Sequence, residues 1–174
     1  RNPQTSGQGA TRVIKENVHR ILEVLPKEVT LVAATKTRTV AEIREAIDAG
    51  ITAIGENYLQ EAAAKLPLLD RKVSRHCIGH LQRNKAKKAV EIFDLVETLD
   101  SIPLARELSR HAQAMGKTLP VLIEVNSGRE PGKTGVMPEE AAVLLEEAGR
   151  LPGVVVQGLM TMGVLTEDRS AIRA

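Results

Sequence analysis

The chain has 174 residues, enough for one domain with a hydrophobic core, and 43% of them are hydrophobic and 26% charged, as in ordinary soluble globular proteins. A formal net charge of only +2, with one tyrosine, one phenylalanine and no tryptophan, disfavours a nucleic-acid site or a membrane surface. The single cysteine excludes an internal disulfide and no apolar run approaches the ~20 residues of a membrane span, so we expect a cytoplasmic protein.

Helix-like and strand-like segments alternate along the chain. Residues 1–9 are polar and glycine-rich and are expected to form a flexible arm, after which an amphipathic stripe predicts the first helix over residues 11–25. The clearest helix signals are the capping box of Thr39 and Glu42 and the C′ glycine Gly50. Further helices are predicted over 57–66, 81–92, 101–115 and 138–149, and a last helix start at 166–168. Strands are predicted over 29–35, 51–55, 76–79, 94–99, 120–125 and 154–160.

This alternation predicts an α/β protein with a parallel sheet and right-handed crossovers. An open doubly wound sheet and a (β/α)8 TIM-barrel type both satisfy the pattern, and the small residues Ala33 and Ala34 slightly favour a crowded barrel interior. A closed barrel needs eight strands and usually ~200 residues or more. A barrel reading therefore implies that the first six βα units are present and the last two are missing. No linker divides the chain, so residues 10–174 are predicted to form a single domain.

Lys36 is the first candidate for chemistry. It follows a predicted buried strand, and the carboxyl ends of such strands are where α/β proteins bind ligands. A half-desolvated lysine there could present the neutral amine that imine formation with a carbonyl-bearing cofactor requires. The alternative is an ordinary exposed lysine in a loop between strand and helix.

Two further strand ends carry polar side chains. Asn57 follows the second strand, either as a helix N-cap with Gln60 at N3 or as a ligand-facing residue. His76 and His80 flank the third strand on one face, and His80 lies at its carboxyl end. Either histidine could instead be a hydrogen-bonded structural residue.

Two segments of the chain carry basic residues that could bind an anion. The first, which contains Arg83 and Lys87 at i,i+4 spacing, is typical of a solvated helix face, with nucleic-acid binding as the weaker alternative. The second contains Gly132, Lys133 and Thr134 and partly matches a phosphate-binding P-loop. That pattern needs a glycine five residues before the Gly-Lys pair, where this chain has Ser127, and the helix should begin at the loop itself. We therefore interpret this segment as a mobile loop over the rim.

Five motifs in the same order and spacing resemble the pyridoxal phosphate homeostasis protein family, which is related in fold to the N-terminal barrel of alanine racemase. The motifs are Ala-Thr-Lys-Thr at 34–37, Gly-Glu-Asn-Tyr at 55–58, the stretch 76–85, the loop 126–135, and Gly-Leu-Met-Thr at 158–161. The stretch Gly-His-Leu-Gln-Arg-Asn-Lys is the most specific of them. The resemblance runs from about residue 10 to residue 174.

The resemblance implies a (β/α)8 barrel that binds pyridoxal 5′-phosphate (PLP) at its carboxyl rim, as a Schiff base on Lys36. It places Asn57, His80 and Met160 around the cofactor ring and implies no catalytic residue and no metal. It also implies a monomer that buffers or delivers the cofactor in the cell, with transient contact to PLP-dependent enzymes, no nucleic acid and no membrane.

The chain departs from this family at two places. Arg75 stands where the family usually has an aromatic residue, before the strand, with little expected effect on the site. The family's phosphate-binding Ser-x-Gly-x-Ser turn and a later Arg-x-Gly-Thr stretch do not occur in the 174 residues. We therefore expect that PLP can be absent from this chain, because the segment that binds its phosphate is missing.

The sequence leaves three alternatives to cofactor homeostasis. The first alternative is a PLP-dependent amino-acid racemase, which commonly needs a tyrosine from an additional domain as a second acid or base; the only tyrosine here is Tyr58. The second is a nucleotide-binding protein that uses Lys133. The third, nucleic-acid binding by the basic helix, is the weakest.

Overall fold

The computed structural model of the protein describes residues 6–163 and 166–170, and the side chains of the first helix from Val13 onward. Helices and strands alternate along the chain, as the sequence predicts. The chain divides into two compact units, Arg1–His76 and Cys77–Ala174. The expected arm over residues 1–9 and the single PLP-binding domain over residues 10–174 remain predictions.

The described residues of the first unit form three α-helices and three short strands. They are α1 (Ser6–Val24), β1 (Val32–Ala34), α2 (Val40–Asp48), β2 (Ala53–Glu56), α3 (Leu59–Lys65) and β3 (Ser74–Cys77), which ends at the boundary of the unit. β1 and β2 are parallel, with Val32 opposite Ala53 and Ala34 opposite Gly55. The buried side chains of Ile43 and Ile54 belong to the core of this unit. The predicted capping box forms, since Thr39 and Glu42 bond each other's backbone amide.

The described part of the second unit forms three further α-helices and three longer strands. They are α4 (Ala86–Ile92), β4 (Leu95–Leu99), α5 (Ile102–Ala114), β5 (Leu119–Glu124), α6 (Ala141–Gly149) and β6 (Val154–Met160). β5 is parallel to both β4 and β6, and its register with β6 shifts between Val121 and Leu122. Buried side chains of Phe93, Val96 and Leu108 fill the core. Gly153 approaches Ser109 so closely that a Cβ atom would collide with the Ser109 backbone.

β1 differs from the prediction in length and in burial. It spans three residues instead of seven, Val29 and Thr30 before it are exposed, and Ala34 is exposed as well. Among the described residues β1 pairs with β2 alone. Its side chains are therefore less buried by neighbouring elements than those of a strand that is paired along both edges. The expectation of a strand buried on both faces was wrong for this element.

Two helices begin at other residues than predicted. α1 begins at Ser6 instead of residue 11, because each residue added to a helix that has already formed gains one backbone hydrogen bond. α3 begins at Leu59, with Tyr58 as its N-cap, so the N-cap interpretation of Asn57 was wrong. No helix among the described residues is long and apolar enough to cross a membrane.

Candidate cofactor site

Lys36 lies directly after β1, at the carboxyl end of the strand. The register of β1 and β2 sets Ala34 opposite Gly55, so Lys36 and Asn57 each lie two residues beyond a matched pair of neighbouring parallel strands. Lys36 is exposed, whereas the preceding Thr35 is 3% exposed. The structure thus gives Lys36 an anchored backbone and an accessible amine.

A group of buried and half-buried side chains surrounds the backbone next to Lys36. Lys65 Nζ lies 2.7 Å from each of three acceptors: the Thr35 carbonyl, Glu56 Oε1 and Glu61 Oε1. Thr35 Oγ1 donates to Glu56 Oε1 at 2.5 Å, and the Thr37 amide donates to Glu61 Oε1 at 2.6 Å. We call Thr35, Glu56, Glu61 and Lys65 the Lys65 cluster.

The two lysines of this region have opposite environments. The Lys65 side chain is 12% exposed, and its three acceptors are the full complement that an ammonium group can bond. The amine of Lys36 makes no hydrogen bond or ion pair with the described residues. Of these two lysines, Lys36 is therefore the one that can offer its nitrogen to a ligand without breaking bonds to the described residues.

Asn57 is half-buried, and its Oδ1 atom is buried without a hydrogen-bond partner among the described residues. Buried acceptors are normally satisfied, so an orphaned one at the carboxyl end of a strand is typical of a ligand-binding position. A hydroxyl or a protonated nitrogen of a ligand could donate to it. With the free Lys36 amine, Asn57 fits a cofactor that carries an aldehyde and polar ring substituents.

In the second unit, His80 lies beyond the strand end with its imidazole half exposed. Its Nδ1 is 3.2 Å from Asp100 Oδ2, and the side chains of the two residues are 51% and 16% exposed. The Thr98 hydroxyl donates to the Gly79 carbonyl at 2.8 Å and fixes the backbone before His80. Asp100 can thus orient the ring and fix which of its nitrogens faces outward. His76 instead lies within β3, with Nε2 2.9 Å from the Ser74 hydroxyl.

Met160 is the last residue of β6 and is half-buried. Its partner in the register with β5 is Glu124, and its carbonyl accepts from the Val125 amide at 2.9 Å. The following Thr161 donates its hydroxyl to the Val125 carbonyl at 2.8 Å. Met160 therefore lies at the carboxyl ends of β5 and β6, and it belongs to the same unit as His80.

The loop after β5 is closed by side-chain bonds. The Thr134 hydroxyl donates to Glu124 Oε1 at 2.5 Å, and Lys133 forms an ion pair with Glu130. Gly135 has a φ of 98°, and a Cβ atom there would lie 2.8 Å from the Asn126 amide nitrogen. Helical structure begins only at residue 138, so no helix N-terminus faces this loop as a P-loop requires.

The pKa values of two titratable groups, the Glu61 carboxyl in the first unit and the Cys77 thiol in the second, are shifted in opposite directions. The hydrogen bond from Lys65, followed by that from the Thr37 amide, holds the pKa of the Glu61 carboxyl below its usual value. Burial raises the pKa of the Cys77 thiol to about 11, which makes this cysteine a poor nucleophile at neutral pH. Among the described residues, no group of histidine, cysteine and carboxylate side chains could hold a metal ion.

Sequence reasoning did not find the Lys65 cluster or the partner of His80. The i,i+4 spacing of Glu61 and Lys65 was a visible signal, although it usually marks an exposed helix pair. Asp100, at the end of the fourth strand, follows the same rule that selected Lys36 and could have been considered. The burial of Glu56, which is 1% exposed, had no signal in the sequence.

Residues 11–173 match the alanine racemase N-terminal domain family, and this match confirms the expected (β/α)8 barrel-type fold. The described residues contain six of its strands, and a helix follows each of the first five. The chain is 38% identical over 148 residues to the pyridoxal phosphate homeostasis protein of Vibrio alginolyticus, covering 82% of this chain and 64% of that protein. The corresponding Pasteurella multocida protein is 37% identical over 161 residues, covering 89% and 69%. The match thus spans about two thirds of the length of these relatives.

A solved structure of PipY from Synechococcus elongatus PCC7942, with PLP bound, has a TM-score of 0.81 and 36% identity, over 88% of this chain and 72% of that chain. The chain therefore belongs to the alanine racemase N-terminal domain family and, within it, to the pyridoxal phosphate homeostasis proteins.

Proposed function

We propose that the protein binds PLP covalently through Lys36 and acts in the homeostasis of this cofactor. The Lys36 amine condenses with the cofactor aldehyde, which forms a Schiff-base C=N bond and releases one water molecule. The bound cofactor supplies a conjugated ring that absorbs light and can withdraw electrons from a substrate. PipY, a relative at 36% identity, has been solved with PLP bound, which supports this ligand.

The free amine of Lys36 is the observation that carries the proposal. A lysine reacts with an aldehyde through the lone pair of its nitrogen, and this nitrogen is exposed and without a bond to the described residues. The Lys65 cluster fixes the backbone on both sides of it. An anchored backbone with a free reactive end is what a covalent binding site needs.

Asn57, His80 and Met160 are proposed to contact the cofactor ring. Asn57 would accept a hydrogen bond through its orphaned Oδ1, which removes a buried unsatisfied acceptor. His80, oriented by Asp100, would present an imidazole nitrogen or its ring face, and the flexible thioether of Met160 would pack against apolar ring surface.

The role that we propose is storage or delivery of the cofactor by a cytoplasmic monomer, without robust turnover and with transient contact to PLP-dependent enzymes. The names of the relatives support this role. The alternative is an amino-acid racemase, which commonly needs a tyrosine as a second acid or base. The one tyrosine, Tyr58, is 60% exposed and makes no side-chain cap bond at α3. Substrate-dependent exchange of an amino-acid α-proton in deuterated water would support the racemase instead.

An absorbance titration with PLP tests the covalent site. We expect a saturable imine band with the unchanged protein and with Lys72→Ala, which removes another exposed lysine of the same unit, and no band with Lys36→Ala. Borohydride reduction followed by peptide mass spectrometry should locate the modification on Lys36. A band that persists in Lys36→Ala, or no band in the unchanged protein, would contradict the proposal.

A further inference from the structure

The backbone on either side of Lys36 is bonded by side chains of α3. The Thr35 carbonyl accepts from Lys65 Nζ at 2.7 Å, and the Thr37 amide donates to Glu61 Oε1 at 2.6 Å. Loop backbone more often bonds to water or to other backbone groups. Here both peptide groups that flank Lys36 are hydrogen-bonded to the ion pair of Glu61 and Lys65.

The backbone of Thr37 is in a strained conformation. Its φ is 62°, a left-handed value that is rare for a β-branched residue, and such conformations cost about 1–3 kcal/mol. They persist only where surrounding contacts fix them. The bond from the Thr37 amide to Glu61 is such a contact, and it lies one residue after Lys36.

Glu56 connects this arrangement to the interior of the first unit. Its side chain is 1% exposed, and its Oε1 accepts from both Lys65 Nζ and the Thr35 hydroxyl. Lys65 therefore cannot move without disturbing a buried carboxylate, which makes the arrangement stiff. The two carboxylates and one ammonium also leave one negative charge beside the Lys36 backbone.

We propose that Lys65, with Glu61 and Glu56, positions Lys36 for reaction with the cofactor aldehyde. The inference rests on the proposed function and assigns a role to residues that do not touch the cofactor. The bonds to Thr35 and Thr37 confine the direction in which the Lys36 side chain leaves the backbone. The net negative charge of the cluster favours the cationic form of the imine.

Three variants test the positioning role. Lys65→Met removes the ammonium and its three bonds, and Glu61→Gln removes one charge while leaving an acceptor for the Thr37 amide. Arg44→Met is the matched control, because Arg44 in the same unit also bonds one carboxylate, Asp70 at 2.9 Å, and one backbone carbonyl, Leu68 at 2.7 Å. For each, we would measure the second-order rate of imine formation with PLP, the pH midpoint of the imine absorbance, and deuterium uptake of the peptide over residues 31–38.

We expect Lys65→Met to slow imine formation about tenfold or more, since misplacing a reacting group by an ångström can cost on the order of 100-fold. Glu61→Gln should shift the pH midpoint of the imine absorbance downward, because a nearby anion that favours the cationic imine is lost. Lys65→Met should also increase deuterium uptake over residues 31–38. Arg44→Met should leave all three measurements unchanged.

The outcomes separate this inference from the proposed function. Wild-type rates in Lys65→Met together with an unchanged midpoint in Glu61→Gln would overturn the positioning role and leave the covalent site intact. If Lys65→Met does not fold, Glu61→Gln alone tests the positioning role, through the pH midpoint of its imine absorbance and its deuterium uptake over residues 31–38. Absence of imine in the unchanged protein would contradict the proposed function, and uptake over residues 31–38 would then decide whether the cluster holds the Lys36 backbone.

Discussion

Two buried carboxylates, one in each unit of the chain, are bonded in different ways. Glu56 at the end of β2 is 1% exposed and bonds an ammonium and a hydroxyl, from Lys65 and Thr35. Glu124 at the end of β5 is 7% exposed, and its side chain accepts from the hydroxyl of Thr134. In both residues the second oxygen, Oε2, is buried without a partner among the described residues.

The difference is one of charge compensation. A buried carboxylate with an ammonium partner belongs to an ion pair, and removal of one member leaves an isolated buried charge. A carboxylate bonded by a neutral hydroxyl has no such partner to leave behind. The first arrangement fixes the backbone beside Lys36, whereas the second closes the loop of residues 126–135 over the end of β5.

Lys65→Met is expected to lower the stability of the protein most. It leaves Glu56 and Glu61 without their shared cation, and because breaking a buried pair typically costs 3–5 kcal/mol, we expect about 3 kcal/mol less stability for a lysine that is 12% exposed. Urea denaturation at neutral pH measures the loss. Arg44→Met, which breaks an exposed pair, should cost less than about 1 kcal/mol. Equal losses in the two variants would show that burial does not strengthen the Lys65 pair.

Glu56→Gln and Glu124→Gln compare the two carboxylates directly. Glu56→Gln weakens a charged bond and leaves the Lys65 ammonium with one carboxylate, so we expect a loss of about 2 kcal/mol. Glu124→Gln keeps an acceptor for Thr134 and should cost less than about 1 kcal/mol. The midpoints of urea unfolding rank the two variants. A larger loss of stability in Glu124→Gln than in Glu56→Gln would contradict this difference in charge compensation.

Glu61→Gln should produce the smallest effect, and one that depends on pH. In the folded protein the pKa of Glu61 is lowered from 4.5, chiefly by the hydrogen bond from Lys65. The charged carboxylate therefore stabilises the fold at pH values above 4.5. This contribution is lost as the pH falls through the lowered folded value. The variant should therefore be less stable than the unchanged protein at pH 7, and the two should converge below pH 4.5. A constant difference from pH 7 to pH 3 would exclude the Glu61 charge as its source.

The order and type of the elements could be predicted because they depend on local patterns. The capping box of Thr39 and Glu42 fixed the start of α2, and β6 spans the predicted residues 154–160. Lys36 and Asn57 were predicted to share one edge of the sheet because each follows a parallel strand, and the register of β1 and β2 agrees with that placement. β1 was predicted too long, since an apolar run does not show on how many sides a strand is paired.

The supports of the candidate site could not be predicted in the same way. Lys65 and Glu61 look like an ordinary surface pair of a helix, and only the packing of α3 on β2 places them beside Thr35 and Thr37. The positive φ of Thr37 is equally invisible in sequence, because threonine has no preference for it.

Residue periodicity, caps and motif spacing are properties of the chain, so they were enough to predict the alternation of strands and helices, the strand end that carries Lys36, and the family. Which of the two lysines, Lys36 or Lys65, has an unbonded amine depends on the folding of the whole unit. The amine of Lys65 is bonded to three acceptors that come from separate segments, and that of Lys36 is bonded to none among the described residues. Such a difference arises from burial and from contacts between segments distant in sequence, which no local pattern records.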